Sequence, residues 1–315
     1  MLDRNKNLFA NTHWGVFSVT EGIFRVFNLG ILKTIAAFMV SPVLGFVAVG
    51  IIGLVRLVGS GLLTFRSGFE FYPSKQAVLG SMLTGVMTAY ITLVPLYVFF
   101  AADAPLTVFV VALMAGFVPI ALISKYKARG RLSILQIVGL ILTIIGLWAL
   151  TGFATSNLFT ETPLWMWTII TLPVFYLIRD LVERTTGTSG VISPWVHNIW
   201  LGLSMVVFSV VGVFGFNAAI FTEGLFLNNL SSYAWLIIIS GIFYIVVTFA
   251  RQKSFSVMGG VFARKKLLMI SSMIITSLVI DLMFFGNIPG GLIVESIILV
   301  FVGYSIVEGL LLKGK

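Results

Sequence analysis

Hydrophobic positions gather into long runs separated by short polar or basic stretches, and most runs approach the ~20 residues a helix needs to cross ~30 Å of hydrocarbon. Residues 1–13, with Arg4 and Lys6, read as a polar tail. Trp14 to about Leu32 is a first span or an amphipathic helix in the interface, because it carries Glu21, Arg25 and Asn28; the spanning reading is preferred. The apolar run from Ile35 to Phe65, broken only by Arg56, places a second span at about Ser41–Thr64. A third runs over Gln76–Ala102, then Asp103-Ala104 turns before Pro105, a residue suited to the first position of a helix, and a fourth covers Pro105–Ser124. The basic loop Lys125–Arg131 leads to a fifth span, Ile134–Thr155. Ser156–Pro163 connects two halves, and spans six to ten follow at Leu164–Val182, Pro194–Phe216, Tyr233–Phe249, Leu267–Phe285 and Leu292–Leu312. Arg251–Lys266 reads as a basic loop between spans eight and nine, and Gly286–Gly290 as the turn between nine and ten.

Composition agrees with this pattern. Hydrophobic residues make up 59% of 315 and charged residues 10%, whereas soluble domains carry roughly a quarter charged residues. The expected fold class is an all-α membrane protein. A net charge of +9 would suit nucleic acid, but the basic residues lie in short clusters between apolar runs, where they report orientation, so no nucleic-acid partner is expected. With the N-terminus inside, cytoplasmic segments hold Arg4, Lys6, Arg66, Lys75, the cluster Lys125–Arg131, Arg184, Arg251, Lys253, Arg264, Lys265, Lys266, Lys313 and Lys315, and outside segments hold only Lys33. This asymmetry predicts about ten spans with both termini cytoplasmic, in the cell membrane. The chain has no cysteine and two histidines, which leaves no thiolate or metal site, and it lacks a phosphate loop or catalytic constellation; neither cofactor nor enzyme activity is expected.

Five spans is an odd number, so a second set of five enters the membrane upside down. The expected domains are an inverted repeat, 1–155 and 156–315, with Ser41-Pro42 echoed by Ser193-Pro194, and Ile145-Gly146 by Val302-Gly303. Such halves are a recurring plan of secondary transporters, with substrate at the midplane between them. Within span five, Gly139 and Gly146 share one face and allow another helix to approach. The stretch Arg131-Leu-Ser-Ile-Leu-Gln-Ile-Val-Gly139, with Gly146 following, resembles the signature closing the first half of EamA-type carriers of the drug/metabolite transporter superfamily. The resemblance implies a cavity lined by helices one, three, four, six, eight and nine, with five and ten peripheral, and substrates ranging over amino acids, amines, nucleosides and sugar derivatives. In that family an acidic residue usually stands just before the last helix of each half; here Gly130 and Asn287 stand there.

Candidate site residues are few. Glu21 and Arg25 are four apart and able to pair, as a buried site or a solvated interfacial pair. Tyr90, Tyr176 and Tyr244 offer hydroxyls or aromatic faces, or simply pack. Pro95, Pro119 and Pro173 free carbonyls inside helices, which is tolerated where backbone lines a cavity or is buried. Coupling or gating candidates are Arg56, which from roughly 12 Å inside the membrane is read as snorkelling to the headgroups; Arg179 and Asp180, a gate pair or, preferably, anchors; and Asp281 and Glu295, proton-titrating groups or helix ends in water. His197 is read as a hydrogen-bonded packing residue. The inverted repeat, the interrupted helices and the family resemblance point to a secondary transporter of a small organic solute, which the resemblance implies is an amino acid or related metabolite, working by alternating access with a proton or other coupling ion, as monomer or homodimer in the bilayer. The excess of deep arginine (Arg25 and Arg56 against Glu21) favours an anionic or zwitterionic solute. The alternatives are a lipid-handling membrane protein or enzyme, or a structural membrane subunit.

Overall fold

A computed structural model describes residues 2–39, 41, 43–68, 71–102, 105–129, 133–150, 164–188, 192–216, 225–257, 262–287 and 290–308. Among them are ten helices: α1 (Leu2–Ala37), α2 (Val43–Ser67), α3 (Lys75–Ala102), α4 (Leu106–Arg129), α5 (Ile134–Leu150), α6 (Leu164–Thr188), α7 (Pro194–Phe216), α8 (Leu225–Val257), α9 (Phe262–Phe284) and α10 (Gly291–Glu308). Five contain stretches long and apolar enough to cross a membrane, namely Gly15–Ala37, Val43–Arg66, Lys75–Ala101, Pro194–Gly215 and Tyr233–Ser254. Shorter apolar helices occupy Leu106–Val118, Ile134–Leu147, Leu268–Phe284 and Ile293–Val307. Large apolar side chains such as Phe65 (82% exposed), Met283 (72%) and Phe214 (70%) point outward. Outward apolar and inward polar faces fit an integral membrane protein, since lipid is the solvent such side chains prefer.

Local chemistry accounts for the helix ends. Ser133 Oγ accepts from Gln136 N at 3.3 Å while Gln136 Oε1 accepts from Ser133 N at 2.9 Å, a reciprocal capping box at the start of α5. Ser74 and Ser193 cap α3 and α7, accepting from Ala77 N and Val196 N, each at 3.2 Å. Past the end of α2, Gly68 takes a φ of 68°, and Gly286 after α9 takes 65°, conformations that glycine adopts without a Cβ clash.

Several boundaries differ from the expectation. α4 runs through Lys125 and Lys127 to Arg129, so most of the proposed basic loop is helical. α8 extends to Val257 and takes in Arg251 and Lys253, which were placed in a loop; the intra-helix ladder continues because Arg251 finds buried partners. Lys33, assigned to an outside loop, lies in α1 and is 6% exposed. The turn at Asp103-Ala104, the connection Ser156–Pro163 and the terminal Lys313 and Lys315 lie outside the described residues.

Two compact units form, Met1–Asp103 with Phe175–Met269 and Ala104–Val174 with Ile270–Lys315, so each unit draws on both halves of the sequence. In the first, α2 packs along α7, α1 along α8, and α3 against α7. The α2–α7 crossing brings backbones together: a Cβ on Gly53 would stand 2.8 Å from the Gly202 carbonyl oxygen, and one on Gly202 2.6 Å from that of Gly53. In the second, α5 packs on α10, and both touch α4. Gly139 and Gly146 do share the face against α10: added Cβ atoms would meet the Gly303 carbonyl oxygen at 2.7 Å and Val300 Cγ2 at 2.8 Å.

The second unit separates two acidic candidates that the sequence left alike. Asp281 Oδ1 accepts from Leu106 N at 3.0 Å, and Oδ2 accepts from Thr107 N and Thr107 Oγ1, both at 2.7 Å. It is a carboxylate cap on the start of α4, where the helix dipole favours negative charge, rather than a helix end in water. Glu295 is exposed, as a helix end in water is. Asp281→Ala is expected to cost about 2 kcal/mol in thermal denaturation of the purified protein, with Asp281→Asn losing less. A transport loss at unchanged stability would mark Asp281 as a coupling group instead.

Candidate functional site

Polar side chains recur on α1 at Glu21, Arg25 and Asn28, on α6 at Tyr176, Asp180 and Glu183, and on α8 at Tyr244, Thr248 and Arg251. A spacing of four then three puts each set on one helix face. In the first unit these faces turn inward, and every one of the residues is at most 9% exposed. α2 adds Arg56, α6 also adds Arg179, and α7 adds His197 and Asn198, none above 2% exposed.

Arg251 is the hub. Its Nε lies 3.0 Å from Glu183 Oε2 and 3.7 Å from Glu21 Oε1, and its Nη1 lies 4.0 Å from Asp180 Oδ1. Its Nη2 donates to Thr248 Oγ1 at 3.3 Å. Arg25 pairs with Glu21 one turn away, and Arg179 donates to the adjacent Asp180 through Nε at 3.3 Å and Nη2 at 2.9 Å. The Tyr176 ring is shared by two cations, with the Arg25 and Arg179 guanidinium carbons 5.0 and 4.5 Å from its centroid. Carboxylates from α1 and α6 thus meet guanidinium groups from α1, α6 and α8 in one continuous cluster.

Beside this cluster, Arg56 Nη2 donates to Asn198 Oδ1 at 2.5 Å and to Thr248 Oγ1 at 2.7 Å. Its guanidinium carbon stands 5.4 Å from the centroid of Tyr244. The Tyr244 hydroxyl shares a 2.8 Å hydrogen bond with Thr92 of α3. His197 Nδ1 is 2.8 Å from Ser81 Oγ, and its Nε2 faces Glu183 Oε1 at 3.5 Å.

Burial removes three of the readings that the sequence allowed. Glu21 (1%) and Arg25 (7%) are not a solvated interfacial pair. Arg56 (0%) does not snorkel, because its head group is held by α7 and α8. Arg179 (2%) and Asp180 (1%) are not surface anchors. The structure brings Glu21, Arg25, Arg56, Tyr176, Arg179, Asp180 and Tyr244 together. Tyr90 stacks on Phe175 with centroids 4.1 Å apart, and Pro95 is buried one turn beyond Thr92. Pro119 and Pro173, with Asp281 and Glu295, belong to the second unit. Sequence reasoning missed Glu183 and Arg251 as site residues; His197, read as a hydrogen-bonded packing residue, is buried against Ser81 and also faces Glu183. The four-then-three spacing that places Glu183 beneath Asp180 and Arg251 beneath Thr248 was the available signal.

Even on insertion scales a charge at the centre of a membrane helix costs about 2.5–3.5 kcal/mol, and buried ion pairs seldom out-stabilise apolar packing. Stability alone therefore does not account for seven charged side chains gathered here, and guanidinium groups in a dry setting are strong, directional anion binders. Among the described residues, no group of three His, Cys, Asp or Glu is placed to hold a metal ion.

No family model matches the chain, and no curated protein does. Among solved structures, one crystal structure of a protein aligns over 92% of this chain and 95% of its own, with a TM-score of 0.58 at 15% sequence identity. That likeness extends to the fold alone.

Proposed function

We propose that the protein is a secondary carrier of the drug/metabolite type, moving a small organic solute across the cytoplasmic membrane by alternating access, with residues 1–155 and 156–315 as inverted repeats. The observation that carries the reading is the cluster of Glu21, Arg25, Arg56, Arg179, Asp180, Glu183 and Arg251, buried among helices of which α1, α2 and α8 contain stretches long and apolar enough to cross a membrane. Ionisable groups at that depth mark solute or ion pathways. Residues from both sequence halves build the cluster, as a site at a repeat interface requires.

Reciprocal contacts support the repeat, because a two-fold relation turns every contact into a second one. The offset between Ser41-Pro42 and Ser193-Pro194 is 193 − 41 = 152, which relates Gly50 to Gly202 and Leu57 to Ser209. A Cβ on Gly50 would meet Ser209 Oγ at 2.4 Å, and one on Gly202 would meet Leu57 N at 2.8 Å, each contact the image of the other. For α5 and α10 the offset is 303 − 146 = 157, relating Gly139 to Ser296 and Gly146 to Gly303. The approach of Gly139 to Gly303 is matched by Gly146 against Ser296 O at 3.1 Å.

The purified protein in liposomes is expected to take up at least one solute from a panel of amino acids, amines and nucleosides, saturably and with a dependence on an imposed pH gradient. Absence of uptake across the panel, with and without the gradient, removes the carrier reading.

A further inference from the structure

We infer that Arg56 is the anchor for one carboxylate of the transported solute, so that the substrate class is small organic acids or amino acids rather than amines or neutral solutes. The inference rests on the carrier reading and names the chemistry of its site.

Arg25, Arg179 and Arg251 each have a carboxylate in reach, at Glu21, Asp180 and Glu183. Arg56 differs. Among the described residues its guanidinium has no carboxylate oxygen within 4 Å, and its partners are the neutral Asn198, Thr248 and the Tyr244 ring. Its Nε has no hydrogen-bond partner, and Nη1 has only the Met205 sulfur at 4.0 Å. The residue is 0% exposed, shut off from bulk water. A buried cation with open N–H groups is a costly arrangement, and a carboxylate relieves it by accepting two parallel hydrogen bonds from the guanidinium fork.

The surroundings suit that ligand. Arg56 sits near the middle of α2, 13 residues beyond Val43 and 10 before Arg66, and Thr248 bridges it to Arg251, so positive potential converges on the open edge. An ammonium would enter a setting where four guanidinium groups repel it and the three carboxylates are already engaged. The site is also absent from the repeat's other half: the residue 152 positions on from Arg56 is Phe208, which stacks on Phe46. Of the two positions that the offset relates, only Arg56 carries a guanidinium, which matches one carboxylate.

The test uses the full chain, first in detergent and then in liposomes. Thermal denaturation is recorded with acetate, lactate, benzoate, glycine and glutamate, and with ethylamine and benzylamine as cationic controls. At least one carboxylate is expected to raise the melting temperature of the wild type while the amines do not. Arg56→Lys, which keeps the charge but not the fork, is expected to weaken that carboxylate about tenfold to a hundredfold, as loss of a charge-assisted hydrogen bond does; Arg56→Gln is expected to abolish the effect. The inference is overturned if no carboxylate of the panel stabilises the wild type, if the amines do so instead, or if Arg56→Lys binds with unchanged affinity. Carboxylate binding through Arg56 with no solute moved in liposomes sinks the carrier reading and leaves the anion site. Uptake of a solute lacking a carboxylate, or uptake unaltered by Arg56→Gln, does the reverse.

Discussion

Arg251→Met is expected to destabilise the protein by about 3–5 kcal/mol, the range seen when one partner of a buried ion pair is removed. The residue is 1% exposed and faces three carboxylates, with Nε 3.0 Å from Glu183 and 3.7 Å from Glu21, and Nη1 4.0 Å from Asp180. Methionine fills much of the volume, so the loss is electrostatic: α1 and α6 would present acids to one another across a dry core with no shared cation. The double variant Arg251→Met with Glu183→Gln is expected to recover part of the loss, because it removes a stranded charge, and residues in one network couple by about 0.5–3 kcal/mol. Melting temperatures of the two single variants and the double variant in detergent check this. Strictly additive losses would mean that Arg251 acts through packing and not as the hub.

The second large effect concerns backbone approach. Gly53→Ala is expected to cost about 1–3 kcal/mol or more, because its Cβ would lie 2.8 Å from the Gly202 carbonyl oxygen, and neither helix can give way without shifting α2 against α7. The same change eight residues on supplies the opposite sign. A Cβ at Gly61 meets nothing within 4 Å, so Gly61→Ala is expected to stabilise α2 by up to about 1 kcal/mol through helix propensity. The two variants differ only in position, and the sign of their melting-temperature shifts decides whether the α2–α7 crossing is backbone-limited.

Much of the fold was legible because it is set by local quantities. Apolar run length marks the helices, and Ser41 and Ser193 mark where two of them begin. Gly139 and Gly146 announced from their spacing a face for close helix packing, and the structure supplies α10 as the partner. Charge was less informative, since a hydropathy argument treats an arginine near a helix end as a loop residue. Arg251 shows why that fails: it follows an apolar stretch, is 1% exposed, and is held by Glu183 and Asp180 of α6. Glu21 and Arg25 were recognisable as a pair from their spacing of four, but not as part of a cluster extending to α6 and α8.

By itself the sequence determined an all-helical chain with apolar faces suited to lipid, the order of its helices, and the glycine faces on which two of them pack, because transfer free energy, propensity and capping act over a few residues. Only the tertiary structure decided that Arg56, His197, Glu183 and Arg251 meet in one buried network and that Asp281 caps the start of α4. That outcome depends on how each helix is rotated about its axis and which neighbour it faces. Both are consequences of pairing across more than a hundred residues of chain, which no local pattern encodes.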